Sequence, residues 1–166
     1  RYHVTPDSVY LSPAPLYHSA PISSCLTVHR LGATCVVMER YDAEESLALI
    51  ERHEVTHAQY VPTMFVRMLK LPEAVRSKYD LSTMSCAIHS SAPCPARVKK
   101  EMIRWWGPIL EEYYSGTEGM GATTIDSHEW LAHPGSVGRP MGAMTIHIVD
   151  DDGNELGANQ TGRIFF

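Results

Sequence analysis

No apolar run in this sequence approaches membrane-spanning length, so no transmembrane segment is expected. No basic stripe is present either. The net charge is −5, with acidic and basic residues interspersed, which gives nucleic-acid binding no electrostatic support. Cys25, Cys35, Cys86 and Cys94 form no Cys-x-x-Cys pair, which removes the usual spacing of a zinc site. The nine histidines are scattered, and none stands in a His-Glu-x-x-His arrangement. No secretory signal opens the sequence, and cysteines in that context are expected to stay reduced, in a cytoplasmic compartment. Internal repeats, low-complexity linkers and a Ser/Thr/Gly-rich phosphate loop carrying a lysine are all lacking.

What remains has the composition of an ordinary soluble globular protein. The 166 residues are 44% apolar and 20% charged, enough for one domain with a proper core. Short apolar runs at 9–11, 34–38, 56–61, 85–89 and 109–113 read as strands, each bounded by turn residues. The lack of alternation in Thr34–Met38 suits a strand covered on both faces. Helices are expected between the strands. One runs from about Ser23 to Leu31, ended by Gly32. One runs from Asp42 to about Arg52, with Glu45 in capping-box spacing. Others cover Thr63 to Lys70, Glu73 to Tyr79, and Pro95 to Gly107. The Met-rich face of the third helix, with Met64, Phe65, Met68 and Leu69, reads as core.

Alternating strands and helices predict an α/β fold with a mainly parallel sheet and flanking helices. Beyond Gly121 the pattern changes. Ile146 and Ile148 alternate with polar residues, 150–154 reads as a solvated turn, and Gly162–Phe166 as a returning strand. The expectation is a C-terminal antiparallel β-hairpin. The domain organisation read from this is a single unit, with an α/β part over about 1–120 and a β-rich extension over about 121–166. The chain opens on Arg1 and stops on the bare apolar Phe165-Phe166, so a piece of a longer parent is expected, with further parts of its own chain on either side.

The most informative stretch is Tyr113-Tyr114-Ser115-Gly116-Thr117-Glu118-Gly119. It follows a strand, and two of its glycines frame a hydroxyl and a carboxylate. At the carboxyl edge of an open α/β sheet, such residues sit where ligands bind. Thr117 and backbone amides suit a phosphate oxygen, Glu118 suits the magnesium that accompanies it, and Tyr114 suits a base. The other reading of the same residues is a glycine turn with a solvated Glu118. The loops Pro15–Ser19 and Ser90–Pro95 also follow strands and are predicted to share this edge. Ser90, Ser91 and Ala92 carry no bulk, so a flat ring can approach their backbone.

Tyr114–Glu118 resembles the Tyr-Gly-x-Thr-Glu motif of the adenylate-forming enzymes, which include acyl-CoA synthetases, luciferases and peptide-synthetase adenylation domains. Pro15-Leu16-Tyr17-His18 resembles their Pro-Leu-aromatic-His motif, and Ser90-Ser91-Ala92-Pro93 their small-residue loop. Gly135–Pro140 is similar to their Gly-Ser-Val-Gly-x-Pro segment, and Thr161–Ile164 to their Thr-Gly-Glu-Ile stretch. The order is right and the likeness spans essentially the whole chain. Departures are Ser115 where Gly is usual, Gly116 at the variable position, and Arg163 where Glu is usual.

The resemblance implies the central part of the large N-terminal domain of a fatty-acyl-CoA or related acyl-CoA ligase. ATP, magnesium, a small carboxylic acid and coenzyme A are the implied partners. It assigns Ser90, Ser91, Ala92, Pro93, Tyr113, Tyr114, Ser115, Gly116 and Thr117 to AMP or ATP. Thr117, Glu118 and His18 are assigned to the chemistry, with Glu118 holding the metal. Tyr17, His18, His89, Gly119 and Val137 are assigned to the acyl and coenzyme A pocket. Alternatives are an amino-acid or aryl-acid adenylation domain and a non-catalytic nucleotide- or CoA-binding module. An α/β-hydrolase-like enzyme is disfavoured, because no Gly-x-Ser-x-Gly occurs. Without the missing phosphate loop and lysine, the piece alone is expected to be inactive.

Overall fold

A computed structural model describes residues 2–166. Five strands form a parallel array: β1 (Val9–Ser12), β2 (Thr34–Val37), β3 (His57–Tyr60), β4 (Cys86–His89) and β5 (Leu110–Ser115). Two more, β6 (Ala122–Asp126) and β7 (Arg139–Pro140), continue the same sheet in antiparallel pairing. The order across the sheet is β2-β1-β3-β4-β5-β6-β7. A separate antiparallel pair, β8 (His147–Val149) and β9 (Arg163–Phe165), forms the C-terminal hairpin. The α/β class, the mainly parallel sheet and the terminal hairpin are as the sequence predicts.

The helices are α1 (Ser19–Arg30), α2 (Ala43–His53), α3 (Pro62–Leu69), α4 (Glu73–Arg76), α5 (Ala96–Trp106) and α6 (Ser127–Ala132). Asp42 caps α2 by accepting the Glu45 N–H at 2.9 Å, the capping spacing visible in the sequence. Ile50 of α2, Phe65 and Met68 of α3, and Val98 and Met102 of α5 are all buried in one core with Leu11, Ala58, Ala87 and Leu110 of the sheet. The Met-rich face of α3 is therefore core. Phe65 has no exposed surface, and truncating such a side chain costs about 3–5 kcal/mol. The opposite sheet face carries a smaller cluster, in which Cys25 and Val28 of α1 meet Tyr10 and Ala33.

Several local expectations are corrected. α1 starts at Ser19 rather than near Ser23, because Pro21 falls in the first turn, where its missing N–H costs nothing. β2 is not covered on both faces: Thr34 and Val37 are exposed, since β2 pairs only with β1 among the described residues. The segment after Leu71 makes one turn of helix, not two. β5 runs two residues past Tyr113, because β6 supplies a partner for Tyr114 and Ser115. β6, α6 and β7 have no counterpart in the sequence reading. No helix among the described residues is long and apolar enough to cross a membrane.

The order of the strands fixes where a ligand can sit. From β1 the chain goes to β2 on one side, then crosses to β3 on the other. α1 leaves β1 toward one sheet face, while α3 leaves β3 toward the other. The carboxyl ends of β1 and β3 therefore open into a crevice, the topological switch point of an open α/β sheet.

Candidate active site

The turn after β5 is a tight one. The Gly119 N–H donates to the Gly116 carbonyl at 3.2 Å, closing a turn over Thr117 and Glu118. Ser115, which stands where the adenylate-forming motif has Gly, uses its hydroxyl to donate to the Gly121 carbonyl at 2.7 Å. That bond ties the two stems of the β5–β6 loop together at its base. A Cβ on Gly116 would lie 2.8 Å from Glu118 Oε2, so the carboxylate folds back over this glycine. Glu118 is exposed and makes no protein hydrogen bond among the described residues. A lone free carboxylate fits magnesium bound through one protein carboxylate plus phosphate oxygens. No cluster of three metal-ligating side chains exists among the described residues to hold a metal by itself.

The loop after β1 delivers the second group. The His18 N–H donates to the Pro15 carbonyl at 3.2 Å, and His18 then occupies the N-cap position of α1 without a side-chain cap. Ser19, Ala20 and Pro21, the first turn of α1, border the crevice. This end carries the positive pole of the helix dipole, which favours an anion there. Tyr17 is 83% exposed, its ring 4.5 Å from that of His18.

The loop after β4 is the third. Ser90 is buried, Ser91 adopts φ +72°, and their hydroxyls lie 3.3 Å apart. Positive φ at a serine turns the backbone sharply toward α5. Ala92 and Pro93 are exposed.

The three loops meet over a cavity of about 270 Å³. His18, Ser91 and Thr117 come together on its rim, one from each loop, and Ser12, Tyr10 and Gln59 form its inner surface. Ser90, Ala92, Pro93, Tyr17, Glu118 and Gly119 lie on the same loops but do not line it. Tyr113 points elsewhere, its hydroxyl accepting from Gln59 Nε2 at 2.8 Å. The Tyr114 ring stacks on Phe166 with centroids 6.4 Å apart, so it faces Phe166 and not the Ser91 loop. Val137 sits beyond β6, where its carbonyl accepts from Thr123 Oγ1 at 2.5 Å.

His89 departs from its expected place in the acyl pocket. Strand alternation points Ile88 toward α1 and His89 into the core on the other face, edge-on to Phe65. There it is fully buried beside a buried ion pair, Lys99 Nζ to Glu112 Oε2 at 2.5 Å. The His89 ring nitrogen lies 3.6 Å from the same carboxylate oxygen, and neither ring nitrogen has a hydrogen-bond partner. Burial and the Lys99 charge push the His89 pKa down to about 3, so the ring is neutral. Burial also lowers the Lys99 pKa, while the Trp130 ring lies 4.8 Å from its ammonium. Sequence reading missed Lys99, Glu112, Ser12 and Gln59. Only period-two alternation, which sets Tyr10 and Ser12 on one face, carried a signal for any of them.

The sequence pattern of the family described as AMP-binding enzyme matches residues 1–166. The chain is 29% identical over 165 residues to 4-coumarate–CoA ligase-like 8 of Arabidopsis thaliana, covering 96% of this chain and 30% of that protein. It is 27% identical over 145 residues to the long-chain-fatty-acid–CoA ligase of Bacillus subtilis, covering 87% of this chain and 26% of the other. Among solved structures, o-succinylbenzoate CoA synthetase (MenE) of Bacillus subtilis, in complex with ATP and magnesium ion, superposes with a TM-score of 0.81 at 25% identity, covering 98% of this chain and 33% of that one. The chain thus spans between about a quarter and a third of the length of these proteins, and its three loop motifs fall where its sheet opens. It belongs to the AMP-binding enzyme family.

Proposed function

We propose that this chain is the central part of an AMP-forming acid–thiol ligase, with an α/β part over about 1–120 and a β-rich extension over 121–166. The observation that carries this is the meeting of His18, Ser91 and Thr117 over one cavity at the switch point of the sheet. In the reaction, a carboxylate oxygen attacks the α-phosphorus of ATP, and the bond to pyrophosphate breaks. The thiol of coenzyme A then attacks the acyl carbon, and AMP leaves with the acyl C–O bond broken.

Each residue has a role in that scheme. The Thr117 hydroxyl and the amides of the 116–119 turn hold phosphate oxygens. Ser90–Pro93 and Tyr114, with Tyr113, Ser115 and Gly116 shaping the strand end, hold the adenine. Tyr114 must exchange its stacking on Phe166 for the base. His18 and Tyr17 border the acyl group and the thiol path, with Gly119 and Val137 at its outer margin, while His89 supports the Ser90 loop from beneath. Glu118 holds magnesium, which neutralises charge on the phosphates. The uncapped first turn of α1 favours the incoming carboxylate.

The acid is proposed to be a fatty or aryl acid, since relatives named for both kinds match. Four free cysteines fit a reducing, cytoplasmic compartment. ATP–pyrophosphate exchange by the full-length parent, across fatty, aryl and amino acids, tests the proposal. Exchange with fatty or aryl acids supports it, and exchange with amino acids alone replaces the ligase by an amino-acid adenylation domain. The 166-residue piece should show none; exchange by the piece would mean that fewer groups suffice.

A further inference from the structure

A cavity of about 320 Å³ lies at the opposite edge of the sheet from the candidate active site. Its wall includes Met84, just before β4, Ile109, just before β5, and Trp105 and Trp106, at the end of α5. These are the amino ends of the strands, whereas Ser91 and Thr117 follow carboxyl ends. Arg76, the last residue of α4, is the one charged side chain in the lining. Its guanidinium carbon lies 5.3 Å from the centre of the Trp105 ring. No hydrogen bond or ion pair to a described residue holds that guanidinium, and its Nε is buried without a partner. Trp106 Nε1, on the same wall, is also buried without one. The acidic groups nearby do not neutralise Arg76. Asp80 Oδ1 accepts the Ser82 N–H at 2.9 Å, and Glu101 pairs with Arg97 at 3.0 Å. Glu73 borders an adjoining cavity with Arg76, without an ion pair between them.

The structure assigns this cavity to a small organic oxyanion: one carboxylate or phosphate on a body about the size of a ring. A half-buried cation without a counter-charge favours an anion beside it. The guanidinium fork takes carboxylate and phosphate oxygens in pairs. Arg76 is held by ring stacking alone, so its head is free to turn onto an acceptor. A buried donor left unpaired is costly, and an oxyanion brings lone pairs for Arg76 Nε and Trp106 Nε1. Trp105 and Trp106, with ring centres 5.7 Å apart, and Leu81 give the body apolar and aromatic surface. A cavity of roughly 150 Å³ holds a benzene molecule, so a ring with its oxyanion fits here. None of these residues has a part in the proposed ligase chemistry, so the site stands apart from that reading.

Calorimetry on the full-length parent, with AMP and magnesium present to fill the nucleotide site, follows phenyl phosphate, benzoate and the uncharged benzyl alcohol. At least one anion should bind and the alcohol should not. Tryptophan fluorescence should change along the same titration, because two of the three tryptophans of this chain line the cavity. Arg76→Leu should weaken that binding at least about tenfold, the scale of losing a hydrogen bond to a charged group. Ser77→Phe, at an exposed position of the lining, keeps Arg76 but fills the space, and should weaken it as much. Thr117→Ala, in the other site, should leave it unchanged. The anion that binds more tightly through Arg76 names the group as carboxylate or phosphate. Melting curves show which variants are folded, and if Arg76→Leu is not, Ser77→Phe decides. Unchanged binding in a folded Arg76→Leu or Ser77→Phe overturns the inference, as does binding lost in Thr117→Ala. No binding of either anion, or equal binding of benzyl alcohol, overturns it too.

Discussion

The hydroxyls of Ser19 and Thr117 lie 3.4 Å apart, although 98 positions separate them in the chain. Ser19 opens α1 after β1, and Thr117 caps the turn after β5. Their contact closes the crevice across the carboxyl ends of the strands between them. A ligand bridging an anion at the first turn of α1 and phosphates at the 116–119 turn would enter between these two hydroxyls.

Glu118→Gln in the full-length parent should slow adenylation far more than thiolysis. The substitution keeps size but removes the charge that, on the proposed reading, would hold magnesium against the phosphates. Losing a charge-stabilising contact of this kind costs about 2.7–4 kcal/mol, or two to three decades in rate. Thiolysis of preformed acyl-AMP expels no pyrophosphate. Since Glu118 is exposed, the melting temperature should barely move, with a change within about 0.5 kcal/mol. Equal losses in both half-reactions, with a large fall in melting temperature, would make Glu118 a structural residue.

Lys99→Met should destabilise the protein by about 3–5 kcal/mol, because it leaves Glu112 buried without its cation. Adding Glu112→Leu should recover much of the loss, since a buried ion pair replaced by apolar side chains is often neutral. Urea unfolding followed by tryptophan fluorescence reads both variants. A single variant as stable as the parent would show that Glu112 finds another partner.

His89 predicts acid sensitivity. Its pKa falls from 6.5 in the unfolded chain to about 3 in the fold. Between those values the unfolded chain binds a proton that the folded chain refuses. The stabilising effect of the neutral ring is therefore complete above pH 6.5 and is lost as the pH falls toward 3. The slope from this one group is about 1.4 kcal/mol per pH unit. Unfolding free energies of the parent and of His89→Gln, measured across that range, should differ by this slope. Parallel curves would mean that the ring finds water or a partner when charged.

Gly138→Ala should be much worse than Gly135→Ala, although both glycines have positive φ. A Cβ on Gly138 would lie 1.9 Å from the Thr124 carbonyl oxygen, whereas one on Gly135 would meet nothing within 4 Å. Both variants carry the conformational cost of about 1–3 kcal/mol; only Gly138→Ala must also push β6 from β7. Comparing the two melting temperatures isolates the close approach. Equal losses would show that β7 moves freely.

The sequence was enough for the class of fold. Turn residues and apolar runs of strand length marked β1 through β5, and Asp42 with Glu45 marked the start of α2, because these signals act over a few residues and need no partner. The motif residues were legible for the same reason: Gly116, Thr117 and Glu118 form their turn from local geometry alone. Only the tertiary structure decided which strand lies beside which, and so which loops share an edge. It extended β5 to Ser115 because β6 pairs with it, and it left β2 half-exposed because only β1 does. It sent His89 into the core instead of the acyl pocket, since the face a strand residue takes depends on where the helices pack. It also built the hydrogen-bond network around Gln59, whose three partners come from three other elements, and no pattern along the chain brings those together.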